Sequence, residues 1–251
     1  MSKIDLYKGD CLEIMDKLIK EGIKVDLILT DPPYGTTACK WDSIIPFEPM
    51  WERLKLLRKD NSAIVLFGSE PFSSALRMSK IKEYKYDWVW NKKKGGNIMN
   101  LKHQPYKIHE NVSVFFKHRY FPIMETQKER KSKTYSKGEA NGIQNYGDER
   151  VYNQKFPKSI IEYSNAIQKG KVHPTQKPVD LLEYLIKTYT NERETVLDFT
   201  MGSCSTGVAC INTNRNFIGI ELDDTYFDIS VDRVKKYIEN NDLDVEISIT
   251  K

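Results

Sequence analysis

Asp31-Pro32-Pro33-Tyr34 packs an acid, two residues that cannot donate a backbone hydrogen bond and an aromatic ring into four positions. That set suits recognition of a flat, amine-bearing ring. A carboxylate accepts one hydrogen bond from the amine, and a carbonyl of the stiff Asp-Pro-Pro backbone accepts a second. Tyr34 offers a face for stacking, worth about 1–3 kcal/mol per base. Read alone, the four residues also fit a strand-ending turn with a satisfied aspartate.

A second cluster lies near the carboxyl end: Asp198-Phe199-Thr200-Met201-Gly202-Ser203-Cys204-Ser205-Thr206-Gly207, with Glu221 nineteen residues beyond Gly202. Gly202 lets a ligand approach the backbone, and the helix expected from Ser205 offers free N–H groups. An acid ending the next strand is placed to accept the hydroxyls of a ribose. Gly202 and Gly207 have P-loop spacing, but Val208-Ala209 follow where Lys-Ser/Thr would be, and the full G-x-G-x-x-G of dinucleotide sites is missing. Asp198 would repel a pyrophosphate and suit an ammonium group. A cofactor with a ribose, an adenine and an amino acid end fits best, which describes S-adenosylmethionine. The plainer reading is a small-residue turn packing a helix on a strand.

Alternating strands and helices must position these clusters. Ile4–Lys8 and Val25–Leu29 read as strands, and Leu12, Met15, Leu18 and Ile19 as a helix capped by Asp10. A helix is expected over Phe47–Leu57, a buried strand over Ser62–Phe67 and a helix over Pro71–Met78. Strands over Tyr86–Trp90 and Asn111–Phe116 follow. Leu181, Leu182, Leu185 and Ile186 mark a helix face. Then come a strand at Thr195–Phe199, a helix at Ser205–Asn212, a strand at Phe217–Glu221 and a final helix capped by Asp223. Val245, Ile247 and Ile249 alternate like one more short strand. The pattern predicts a largely parallel α/β sheet. Parallel sheets bind ligands beyond the carboxyl ends of their strands, where Asp31 and Gly202 fall.

From Lys117 to about Gly170 periodicity is lost in a polar stretch. We expect residues 1–117 and 171–251 to form one catalytic domain, and residues 118–170 an inserted recognition region. The whole chain has 251 residues and a formal charge of +4. Between Lys80 and Lys107 eight lysines face only Glu83 and Asp87, interleaved with Tyr84, Tyr86, Trp88, Trp90, His103 and Tyr106. Positive charge with aromatics suits a nucleic-acid backbone and unstacked bases, although a solvated surface is the common cause of such a run. The longest apolar runs are too short to span a membrane, and the opening residues read as a strand, not a signal peptide. Cys11, Cys39, Cys204 and Cys210 show no metal-ligand spacing, so no metal site is expected and a reducing cytoplasm fits.

Together these residues resemble the permuted, β-class DNA amino-methyltransferases. The resemblance rests on Asp31-Pro-Pro-Tyr34, on His173-Pro-Thr-Gln-Lys-Pro178, and on Asp198-Phe-Thr-Met-Gly-Ser-Cys-Ser-Thr206 with Glu221, in that order. It implies a Rossmann-like, seven-stranded, mostly parallel sheet with one antiparallel strand, flanked by helices. It implies methyl transfer from S-adenosylmethionine to adenine N6 in double-stranded DNA. Asp31, Pro32, Pro33 and Tyr34 would hold the extruded base. Asp10 and Cys11 would meet the cofactor adenine, and Thr175, Gln176 and Lys177 the methionine side. Asp198, Phe199, Gly202, Ser203, Ser205 and Thr206 would wrap the amino acid portion, and Glu221 the ribose.

Lys92, Lys93 and Lys94, in a loop over 92–110, would face DNA, as would Arg119, Arg130 and Lys131 of the insert. The resemblance leaves room for a homodimer and for a separate restriction endonuclease as partners. The family usually has glycine where Cys204 stands; if that position needs a positive φ, a Cβ costs roughly 1 kcal/mol or more. A reactive thiol at the helix start is a lesser reading. Cytosine N4 is the alternative target on the same fold. A protein-glutamine or RNA-base methyltransferase and an inactive nucleotide-binding relative are the remaining rivals. Cytosine-C5 chemistry is excluded by the lack of any proline followed by cysteine.

Overall fold

Every residue of Val25–Thr30 is buried, as a strand covered on both faces must be. The computed structural model describes residues 2–37, 42–132, 150–165 and 176–251. In chain order the strands are β1 (Ser2–Lys8), β2 (Val25–Thr30), β3 (Arg58–Gly68), β4 (Tyr84–Asn91), β5 (His109–Phe115), β6 (Glu125–Ser132), β7 (Arg150–Lys155), β8 (Ile160–Glu162), β9 (Thr195–Asp198), β10 (Asn216–Glu221) and β11 (Val245–Thr250). The helices are α1 (Cys11–Lys20), α2 (Phe47–Leu57), α3 (Phe72–Ser79), α4 (Val179–Tyr189), α5 (Ser205–Asn212) and α6 (Asp224–Asn240). The elements foreseen from periodicity all form, with ends shifted by a few residues.

Among the described residues nine strands join in the order β11-β1-β10-β9-β2-β3-β5-β4-β8. The expected count of seven is therefore too low. β11 adds in parallel to β1 at one edge, and β8 adds in parallel to β4 at the other. Among these described strands β5 alone runs antiparallel, between β3 and β4. β8 falls inside the stretch 118–170, so that stretch is not wholly separate from the sheet. The chain divides into one compact unit of Met1–Phe121 with Ser159–Lys251, and a smaller one, Pro122–Lys158, in which β6 pairs antiparallel with β7.

Alternate residues of the central strands feed two cores. Leu27, Leu29, Val65 and Val196 pack with Leu181 and Leu185 of α4, Ala209 of α5 and Phe227 of α6. Ile28, Ile64, Leu66 and Leu197 pack with Met15 and Leu18 of α1, Trp51 and Leu54 of α2 and Leu76 of α3. The result is a sheet sandwiched between helices, and it corrects one sequence reading. Trp88 and Trp90 are buried core side chains, 4% and 0% exposed, so these aromatics of the lysine-rich run are not a platform for unstacked bases. Among the described residues no helix is long and apolar enough to cross a membrane.

Successive crossovers leave the middle of the sheet in opposite directions, β2 to β3 one way and β9 to β10 the other. β2 and β9 lie side by side there, with Leu27 opposite Val196 and Ile28 opposite Leu197. The loops after these two strands therefore open at the switch point of the sheet.

Candidate active site

The sites expected from the two distant clusters share one cavity of about 880 Å³. Each expected catalytic and cofactor residue lines it except Thr175, which with His173 and Pro174 lies outside the described residues. The two loops are also tied directly. Thr30 Oγ1 donates to Asp198 Oδ1, and Thr200 Oγ1 donates to the carbonyl of Asp31 at 3.1 Å.

Asp31 sits at the end of β2 with both oxygens engaged. Tyr34 OH donates to Oδ1, and Lys177 Nζ lies 2.6 Å from Oδ2. Lys177 also stands 3.3 Å from Glu110 Oε2, and Lys92 Nζ is 2.9 Å from Glu110 Oε1. Glu110 Oε2 makes no hydrogen bond among the described residues. The Lys177 ammonium is boxed by the rings of Phe67, Trp90 and Tyr34, with centroids at 5.2, 5.8 and 5.9 Å. Burial pushes the Asp31 carboxyl above its ordinary value, against the pull of Lys177. Burial would lower the Lys177 ammonium, but the Asp31 and Glu110 carboxylates outweigh it and hold it up. Glu110 is likewise desolvated, yet Lys177 and Lys92 bring it below the usual carboxylate range. Lys177, expected on the methionine side, thus stands against Asp31, the residue expected to be catalytic.

The loop after Tyr34 is shaped by Asp42. Its Oδ1 accepts from the amides of Tyr34 at 2.8 Å and Gly35 at 3.0 Å, and its Oδ2 from Thr36 at 2.9 Å and Thr37 at 2.6 Å. Burial opposes the Asp42 charge, but these donors outweigh it and lower its pKa. Tyr34 stacks on Phe72, with centroids 5.1 Å apart.

On the cofactor side, Asp198 is 4% exposed. Its Oδ1 accepts from Thr30 and from the Thr200 amide at 3.2 Å, and its Oδ2 from Thr206 Oγ1 at 2.6 Å. A carboxylate offers about four acceptor positions, so these three bonds leave about one for the expected cation contact. Burial raises its pKa to about 6. Glu221 accepts from the Gly202 amide at 2.9 Å and the Asp223 amide at 2.8 Å, one on each oxygen. It keeps capacity for further donors. Gly202 has φ +51°, and a Cβ there would meet no protein atom within 4 Å. Its α-carbon therefore faces ligand space.

Cys204 adopts φ 59° and ψ 39°, the left-handed conformation anticipated for a glycine position. Its sulfur is buried over Gly207, where an added Cβ would stand on Sγ. Burial pushes its thiol up to about 12, which overturns the reactive-thiol reading. Arg233 of α6 braces the same turn, donating to the Ser203 carbonyl at 2.7 Å and to Ser205 Oγ at 3.0 Å. Asp10 caps α1 through Oδ1, accepting from Leu12 and Glu13, and the Gly9 amide donates to the Glu221 carbonyl at 2.9 Å.

The residues expected on DNA divide. Lys93 and Lys94 are exposed, and Arg130 and Lys131 are exposed on β6. Lys92 is instead turned into the cavity against Glu110. Arg119 is committed to a bidentate pair with Glu194 at 2.7 and 2.8 Å and lies 3.6 Å from Asp26, so it braces the sheet and is not free for phosphate. Sequence reasoning missed Glu110, Asp42, Thr200 and Arg233. Glu110 carries no local signal, since only strand order brings it to the site, while Asp42 acts within its own loop, on amides five to eight residues before it.

A family model described as DNA methylase matches residues 25–232. The DNA adenine methyltransferase YhdJ of Escherichia coli (strain K12) is 30% identical over 91% of this chain and 82% of its own length. The Type II methyltransferase M1.MboII of Moraxella bovis is 26% identical over 88% of this chain and 92% of its own. Among solved structures, the M1.HpyAVI–SAM complex is similar at a TM-score of 0.64 and 27% identity, covering 92% of this chain and 99% of that one. The cytosine-N4-specific PvuII DNA methyltransferase shares the fold at a TM-score of 0.67 and 16% identity, covering 98% of this chain and 95% of that one.

Proposed function

Since the chain belongs to the DNA methylase family, we propose that it methylates the exocyclic N6 of adenine, extruded from the duplex at a specific site. It is a site-specific DNA methyltransferase, and S-adenosylmethionine is its methyl donor. The observation that carries the exocyclic-amine reading is the shared cavity, in which the Asp31 carboxylate and the Gly202–Glu221 turn face the same space; the adenine methyltransferase relative favours adenine as the target.

The residues present fit the donor. Gly202 leaves its α-carbon open to the cavity, Glu221 retains acceptor capacity for a pair of hydroxyls, and Phe199 and Asp10 line the same space. When bound, S-adenosylmethionine supplies an electrophilic methyl group on a sulfonium. The chain's own residues do the rest. Asp31 and the Pro32 carbonyl accept hydrogen bonds from the two protons of the target amine. That draws the nitrogen toward tetrahedral geometry and frees a lone pair otherwise delocalised into the ring. The negative carboxylate also favours the positive charge developing on nitrogen. Tyr34 supports the base face, which offsets part of the few kcal/mol that leaving the stack costs. Lys177 favours the ionised form of Asp31 in a buried site.

Exposed Lys93 and Lys94 would meet phosphates, giving salt-dependent affinity. Arg130 and Lys131, on the β6–β7 unit, would read the target sequence from base edges. A homodimer, a restriction partner and a cytoplasmic setting remain part of this proposal. Asp31→Ala tests the core of it: methyl incorporation into DNA should vanish while donor binding, read by calorimetry, survives. Digestion and mass analysis of the product should show N6-methyladenine. N4-methylcytosine would assign the enzyme to the alternative target.

A further inference from the structure

The connection between β4 and β5 is a braced tongue with an apolar tip. Its base is closed by the Lys92 amide donating to the Ile108 carbonyl at 2.7 Å. Higher up, Asn97 Nδ2 donates to the Pro105 carbonyl, and the Lys107 amide to Asn97 Oδ1, both at 3.0 Å. Tyr106 OH donates to the Gly95 carbonyl at 3.0 Å. A Cβ on Gly95 would come within 2.5 Å of the Lys107 carbonyl oxygen, so the two limbs touch backbone to backbone. The tip is a single 3-10 turn over Ile98–Asn100. There Ile98 is 66% exposed, Met99 97% and Leu101 47%.

Three apolar side chains held out in water by a hydrogen-bonded frame mark a surface meant to be covered. Two observations identify what covers it. Gly96, two residues before the tip, lines the cavity that holds Asp31. Lys93, Lys94 and Lys102 on the same tongue are exposed, Lys93 in a surface ion pair with Glu162, so the segment that carries the apolar tip also carries positive charge. An apolar wedge framed by cations fits duplex DNA, where apolar side chains enter a base step and unstack it.

Resting on the reading that residues 92–110 face DNA, we propose that Ile98, Met99 and Leu101 form a wedge that enters the base stack beside the target adenine. It fills the space the adenine vacates and so stabilises the extruded state. Lys93, Lys94 and Lys102 hold the flanking phosphates. The wedge acts on base extrusion and not on methyl transfer itself.

The test uses the full chain and two duplexes bearing its mapped methylation site, one unmodified for methylation and one with 2-aminopurine in place of the target adenine for fluorescence. The double variant Ile98→Ala/Met99→Ala removes side chains that are mostly in solvent, so folding is spared. We expect the fluorescence rise on binding to fall at least several-fold and duplex methylation at least tenfold, with donor binding unchanged. Met99→Leu should restore most of both. A duplex whose target adenine faces an abasic site is already loosened, and the variant should methylate it at close to the wild-type rate. Undiminished fluorescence in the double variant overturns the wedge, as does an equal loss on the abasic duplex. Conversion of a dimer to a monomer in sedimentation would also overturn it, assigning the tip to contact between copies. Lys93→Glu/Lys94→Glu separates the underlying reading. If DNA affinity and its salt dependence stay unchanged, the loop does not face DNA. If they fall while the apolar variant behaves as wild type, only the wedge fails.

Discussion

Lys177 Nζ lies 2.6 Å from Asp31 Oδ2 and 3.3 Å from Glu110 Oε2, so one buried cation serves two carboxylates delivered by different strands. The carboxylate proposed to accept the target amine is thus engaged by a lysine. Glu110 shares that lysine through Oε2 and holds Lys92 through Oε1.

Lys177→Met should shift the acid limb of the kcat profile toward higher pH. Burial raises the Asp31 carboxyl and Lys177 opposes that rise, so removing the lysine leaves the acid protonated over a wider range. Methyl transfer should fall more at acid than at alkaline pH. Removing one partner of a buried pair also costs about 3–5 kcal/mol, visible as a lowered Tm. Rates measured from pH 5.5 to 9 check the shift, and an unmoved limb would separate Lys177 from the ionisation of Asp31.

Donor affinity should weaken as pH falls through about 6, where Asp198 takes up a proton. A neutral acid no longer favours an ammonium group beside it. Calorimetry between pH 5 and 7.5 reads this directly, and Asp198→Asn should bind weakly with a flat profile. The free protein has the opposite sign. A carboxyl whose folded value is about 6 favours the fold below the ordinary carboxylate value, and that contribution is lost as pH rises through about 6. Asp198→Asn should therefore remove a loss of stability over that window.

Glu221→Gln should weaken S-adenosylmethionine binding about 10–100-fold, the size of a hydrogen bond to a charged group. The Gly202 amide that Glu221 now accepts loses its charged partner at the same time. Asp31→Asn should leave donor affinity close to wild type. Parallel titrations of the two variants distinguish the cofactor half of the cavity from the base half.

Gly207→Ala should destabilise the protein by about 2 kcal/mol or more, because its Cβ would stand on Cys204 Sγ. Cys204→Gly removes that sulfur and relieves the left-handed backbone at φ 59°. The same alanine should cost at least about 1 kcal/mol less in the Cys204→Gly background. Urea unfolding of the four proteins closes the cycle, and strictly additive losses would show that the sulfur is not what keeps residue 207 a glycine.

The chain order alone determined which residues end strands and begin helices. The apolar run into Asp31-Pro-Pro, the capping Asp10 and Asp223, and the small-residue turn around Gly202 are local signals, and the structure forms each element where they point. Even the strained position of Cys204 was legible, because a turn that needs a positive φ imposes it whatever residue stands there. Strand order decided the rest. Glu110 reaches the site only because β5 runs antiparallel, which puts its first residues beside the last residues of β3, with Asn111 opposite Gly68. Arg119 leaves the nucleic-acid set because folding places Glu194 against it, and Trp88 and Trp90 leave it because β4 lies inside the sheet, with the core covering them. Side-chain type and spacing report what a segment can do locally. Which charges meet across more than a hundred residues is set by how the sheet is threaded, and nothing in a short window of sequence carries that.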